Sequence, residues 1–145
     1  FFGQKIRTIT HLPSGRALKA FVQYCFGDSI TSEDFEAFER IGKSFPDAPE
    51  IDLADYESSL RKITEDGLEK NCELVSSMFF QSLIQVYSRS LDQLRLSGEL
   101  LFAGGVGQKV LLISEELSRI TERDFVISDT NETTLEGLGI LANVH

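Results

Sequence analysis

From Leu68 to Leu96 apolar side chains recur at helical spacing. Leu68, Cys72, Val75, Phe79, Leu83 and Val86 form one face, and Leu74, Met78 and Tyr87 widen it. A long helix that is apolar over so much of its surface has to be covered by other elements, so the segment is predicted to be the central core element. The same spacing makes Phe79, Phe80 and Tyr87 packing residues rather than an aromatic box around a cofactor.

The segments before it supply covering faces. Gln4 to Leu12 alternates Ile6, Thr8 and Thr10 against Arg7, Ile9 and His11, a strand pattern ended by Pro13-Ser14-Gly15. Ser14 is placed to cap a helix in which Leu18, Phe21, Val22 and Cys25 fall on one face, with Gly27 at its C-terminal stop. Thr31 or Ser32 caps a second helix, Glu33 and Asp34 suit its N-terminal dipole, and Phe35, Phe38 and Ile41 form its stripe before Gly42 ends it. Ser44 to Asp55, with Pro46 and Pro49, reads as an acidic, exposed loop. Helical signal resumes near Tyr56 and breaks at Asp66-Gly67.

Beyond the long helix and its stop at Ser97-Gly98, Glu99–Ala103 reads as a short strand that runs into Gly104-Gly105-Val106-Gly107. A helix carrying Val110, Leu111, Ile113, Leu117 and Ile120 follows, then the charged turn Glu122-Arg123-Asp124 and a second strand, Phe125–Ser128. A last helix is expected from Glu132 or Thr133 to Asn143. This order predicts an α/β fold with a mostly parallel sheet in the second half. The 145 residues are the length of one domain, and no repeat or internal boundary divides them.

Charge and composition exclude several classes. A formal charge of −9 with scattered Lys and Arg is wrong for nucleic acid, whose phosphates demand clustered bases. No apolar run approaches the roughly 20 residues of a membrane span, and no signal-peptide pattern is present, so a cytoplasmic protein is expected. Cys25 and Cys72, far apart in sequence, read as two buried, reduced thiols, and with only His11 and His145 beside them no zinc-type cluster can form. Asp124, Asp129 and Glu132 have no metal-ligand spacing and read as solvated acids. No catalytic Ser/His/Asp or Cys/His set is present, and Ser14-Gly15-Arg16 reads as a helix cap. The chain opens on Phe1-Phe2 without a Met, which suggests a domain cut from a longer protein.

The glycine turn is the feature closest to chemistry. Glycine lets the backbone turn sharply or lets a ligand approach, and the helix behind it offers free amides to an anion. Gly104-Gly105-Val106-Gly107 is neither a Walker loop nor GxGxxG. It reads either as a phosphate cradle, with Gln108 or Lys109 adding a polar contact, or as a tight corner.

Taken with its surroundings the turn resembles a known family. Glu73 through Leu91, Gly98 to Gln108, Leu117-Ser118-Arg119-Ile120 and Thr133 to Ala142 together resemble the C-terminal domain of FGGY-type carbohydrate kinases, of the actin/hexokinase superfamily, with the sedoheptulose- and pentulose-kinase-like branch the nearest fit. The opening from Phe1-Phe2-Gly3 to Leu18 also looks like the start of that domain. Gly137-Leu138-Gly139 departs from the family's Gly-Ala-Ala, the domain is shorter than most members, and Ser44–Asp66 is the least matched part.

The resemblance implies an RNase H-like single domain over residues 1–145, helix-rich around a central mixed sheet. It implies ATP, with Mg²⁺, as cofactor, approached by Gly104 and Gly105 and contacted by Gln108, and a ketose or polyol as substrate. The Asp-Gly-Thr type motif and the catalytic Asp of such kinases belong to an N-terminal domain of the same protein, which this chain lacks, so no catalytic or metal-ligating residue is assigned here. Isolated, the chain is expected to be inactive, because phosphoryl transfer needs groups from both sides of the cleft. A homo-oligomer is left open. The rival expectations are a non-catalytic nucleotide-sensing or interaction domain of the same superfamily and a scaffold that binds no nucleotide.

Overall fold

The computed structural model describes residues 12–13, 15–43, 47–68, 71–94, 100–102 and 110–127. Among them are α1 (Gly15–Phe26), α2 (Ser32–Ile41), α3 (Tyr56–Glu65), α4 (Cys72–Leu94), β1 (Leu100–Phe102), α5 (Leu111–Thr121) and β2 (Phe125–Ile127). The chain forms two compact units, Phe1–Ser97 and Gly98–His145.

In the first unit α4 is the core element that its stripe demands. Every residue from Val75 to Phe80 is buried, as are Ser82, Leu83 and Ile84. Phe21 of α1 meets Phe79 with ring centroids 5.1 Å apart, and Phe38 of α2 meets Phe79 at 5.8 Å and Phe80 at 5.7 Å. Phe79 and Phe80 themselves stand edge to face at 5.2 Å. Such tilted and edge-on pairs are favoured by the ring quadrupole, and the four rings form the centre of this unit. The helix α1 lies antiparallel to α4. Pro13, just before α1, accepts from the Tyr87 hydroxyl late in α4 at 3.4 Å, while Cys25 near the end of α1 meets Cys72 at the start of α4.

Helix ends follow local chemistry. The Asp34 carboxylate accepts from the Thr31 amide at 2.7 Å and from its hydroxyl at 2.8 Å, closing the N-terminus of α2. Asp55 caps α3 by accepting from the Ser58 amide at 3.2 Å, and Asn71 does the same for α4 through the Leu74 amide at 3.0 Å. Gly27, at φ +94°, ends α1 in the left-handed region where a side chain is strained. Gly42 has a different role. It ends α2 in a right-handed conformation (φ −65°, ψ −10°) open to any residue. A Cβ there would fall 2.8 Å from Ser76 Oγ and closer still to the Phe80 ring, so glycine is present because α4 leaves no room.

The segment expected to be an exposed acidic loop is tied to the core along its described part, 47–55. Leu53 is buried, the Ile51 amide donates to Ser82 Oγ at 2.8 Å, and the Asp52 carbonyl accepts from Ser59 Oγ at 2.8 Å. Asp52 also folds the loop locally, its carboxylate accepting from the Ala54 and Asp55 amides. Its acidic residues do face solvent, so the charge pattern was legible and the anchoring was not.

In the second unit β1 and β2 pair in parallel, with Leu100 opposite Phe125, Leu101 opposite Val126 and Phe102 opposite Ile127. Parallel strands need a crossover between them, and α5 lies there in the chain. Val110, Leu112, Ile113 and Leu117 are buried, and α5 ends at Glu122 in a left-handed conformation (φ 53°).

The expected RNase H-like α/β architecture with a central mixed sheet is therefore corrected. The described residues are dominated by helices, and their strand content is one pair of three-residue strands. The physical reason lies in α4: the apolar stripes of α1 and α2 cover its buried face, so this unit buries its core helix against helix. The strand expected at Gln4–Leu12 and the helix expected from Glu132 to Asn143 lie, apart from Leu12, outside the described residues.

Candidate functional site

The site residues expected from sequence, Gly104, Gly105 and Gln108, with Lys109 as the alternative contact, lie outside the described residues. What is described is their frame. The strand β1 ends at Phe102 and α5 opens at Leu111 after Val110, which caps the helix without a side-chain hydrogen bond. In its first turn the Ile113 amide donates to the Val110 carbonyl at 3.3 Å. Downstream the chain returns in β2, parallel to β1.

In the first unit the polar residues inside the core are structural. Ser76 Oγ donates to the Phe38 carbonyl, Ser77 Oγ donates to the Gly42 carbonyl at 3.1 Å, and Ser82 Oγ accepts from the Ile51 amide. A hydroxyl in an apolar interior is costly unless bonded, and these three instead fasten α2 and the 47–55 loop to α4. Among the described residues no buried side-chain nitrogen or oxygen lacks a partner. Nor does any group of three or more His, Cys, Asp or Glu among them stand ready to hold a metal ion. Asp124, one of the acids without metal-ligand spacing, is exposed. His11, Ser14, Asp129, Glu132 and His145 lie outside the described residues.

The structure does bring together one pair that sequence reasoning kept apart. Cys72 Sγ lies 3.6 Å from the Cys25 carbonyl oxygen, across 47 positions of chain. Both cysteines are free and half-buried, not fully buried as expected. Burial holds the Cys25 thiol protonated well above the ordinary thiol range, and the neighbouring Cys72 thiol pushes the same way. The signal was present in outline. Cys25 continues the apolar face of α1 and Cys72 begins that of α4, so antiparallel packing of those faces sets the two thiols side by side.

The Glu50–Arg89 ion pair, with both carboxylate oxygens 3.0 Å from Arg89 Nη2, joins the loop to α4. Both side chains are half-exposed or more, at 50% and 61%, so the pair adds little stability. Among the described residues no helix is long and apolar enough to cross a membrane.

Compared with known proteins, the chain matches no family model, no curated protein and no solved structure.

Proposed function

We propose that this chain supplies the nucleotide side of an ATP-dependent carbohydrate kinase. The observation that supports the reading is the parallel pairing of β1 with β2 through α5, because it sets the glycine segment, in chain order, between the carboxyl end of a strand and a helix start. A backbone without Cβ atoms in that position suits the close approach of phosphate groups. In this reading Gly104 and Gly105 approach ATP and Gln108 contacts the nucleotide. An N-terminal domain of the same protein brings the sugar or polyol, the catalytic Asp and most of the Mg²⁺ coordination. ATP bound with Mg²⁺ supplies the γ-phosphoryl group, the protein is cytoplasmic, and the chain alone does not turn over substrate.

Calorimetric titration with ATP and Mg²⁺ tests the reading, comparing the chain with its Gly105→Val variant. Saturable binding that the valine abolishes, with the thermal unfolding profile unchanged, is expected. Equal binding by both chains removes the glycine turn from the site. If neither chain binds, the titration is repeated on the parent protein carrying its N-terminal domain, and absence of binding there rejects the nucleotide reading.

A non-catalytic nucleotide-sensing or interaction role is the second reading. ATP binding by the parent protein without phosphoryl transfer to any ketose or polyol offered would select it.

A further inference from the structure

We propose that Cys25 and Cys72 form a redox-responsive dithiol, which closes into an intramolecular disulfide by exchange with a small-molecule disulfide of the glutathione type. The inference stands apart from the nucleotide reading, since both residues belong to the Phe1–Ser97 unit.

The geometry carries it. Cys25 is the penultimate residue of α1 and Cys72 the first of α4, so both thiols sit at helix ends, where the backbone adjusts most easily. Cys72 Sγ is 3.6 Å from the Cys25 carbonyl oxygen. That oxygen is about 2.4 Å from its own Cα, so Cys72 Sγ lies within roughly 6 Å of the Cys25 Cα. The bond that Cys72 donates to this carbonyl holds its thiol beside Cys25, and neither cysteine is sealed from solvent. Around them α1 and α4 are aligned by the Phe21–Phe79 contact and by the Tyr87–Pro13 hydrogen bond, so the pair is held in place without the covalent link.

The exchange balances without any further reagent. Because burial keeps the Cys25 thiol protonated, the Cys72 thiolate attacks a sulfur of the small disulfide, forming a mixed disulfide and releasing one small thiolate. The Cys25 thiol then gives its proton to the released small thiolate and attacks the protein sulfur of that mixed disulfide, and the other small thiolate leaves. The protein loses two protons and two electrons, and one small disulfide becomes two small thiols. The closed bond fastens the end of α1 to the start of α4 and removes from the unfolded chain the freedom of the segment between them.

The test uses the whole chain, equilibrated in glutathione buffers from reducing to oxidising, quenched with acid, unfolded, alkylated and weighed by mass spectrometry. The expected product in oxidising buffer is a monomer lighter by two hydrogens that takes up no alkylating reagent, reverts fully with excess reductant and unfolds about 10 °C higher. Cys25→Ser and Cys72→Ser, each left with one thiol, should instead collect a glutathione adduct and show no such rise. Two alkylatable thiols at every buffer ratio overturn the proposal. So do separate glutathione adducts on both cysteines of the unaltered chain, or a disulfide that links two chains.

Discussion

Replacing Gly42 by alanine isolates the packing of α2 against α4 from backbone conformation. At φ −65° an alanine is free of backbone strain, and Gly→Ala at such a position ordinarily stabilises by about 0.4–1 kcal/mol through the unfolded chain. Here the new methyl would stand 2.8 Å from Ser76 Oγ and closer to the Phe80 ring. Neither neighbour can easily give way. Ser76 is held by its bond to the Phe38 carbonyl, and the Phe80 ring is wedged against Phe38 and Phe79. Forcing a methyl group into a packed core costs about 1–3 kcal/mol, so Gly42→Ala is expected to lose about 1–2 kcal/mol net. Urea unfolding followed by far-ultraviolet circular dichroism reads this as a lower midpoint with an unchanged slope. Phe80→Leu, which withdraws the ring edge, should recover part of the loss in the double variant, a coupling that a double-mutant cycle measures. A Gly42→Ala chain as stable as the parent, or more so, would refute the close-packing argument.

Three further outcomes follow from single contacts. Ser82→Ala removes the acceptor for the Ile51 amide and should cost about 1–3 kcal/mol, with faster hydrogen exchange at Ile51; unchanged exchange there means the loop is not tethered through this hydroxyl. The Asp55 carboxyl is held below its ordinary range by the side-chain and then the backbone hydrogen bonds of Ser58, so its contribution is full above the ordinary carboxylate range and is lost as pH falls through the depressed value. Asp55→Asn keeps an acceptor without titrating and should flatten that acid limb in a pH series of unfolding curves; an unaltered limb assigns the loss to other groups. Glu122, left-handed at φ 53°, should give way to glycine with a gain of about 1 kcal/mol in the stability of the second unit, read by hydrogen exchange in α5, and a loss would show that the Glu122 side chain outweighs its backbone strain.

Much of the local structure was legible because it depends on neighbours in sequence. Gly27 and Asp66-Gly67 end α1 and α3 where glycine chemistry places a stop, and the two strands at Leu100–Phe102 and Phe125–Ile127 lie inside the stretches Glu99–Ala103 and Phe125–Ser128 expected to be strands. The glycine segment after β1 is legible as a motif, and its proposed chemistry comes from the kinase resemblance. The serines of α4 could not be read in the same way. A periodic pattern says that Ser76, Ser77 and Ser82 share the buried part of a helix, but not that the Phe38 and Gly42 carbonyls and the Ile51 amide stand opposite them.

By itself the sequence determined that α4 would be a core helix, that shorter helices with capped ends would precede it, and that a glycine-bearing junction would join a strand to a helix. Only the tertiary structure decided how little sheet there is, that the 47–55 loop is anchored, that Gly42 is a close contact as well as a helix stop, and that Cys25 and Cys72 are neighbours. The reason is common to all four. Apolar spacing and caps are set within a few residues along the chain, whereas strand pairing, close approach and thiol–thiol contact depend on which faces meet across tens of residues, a choice settled by packing as a whole.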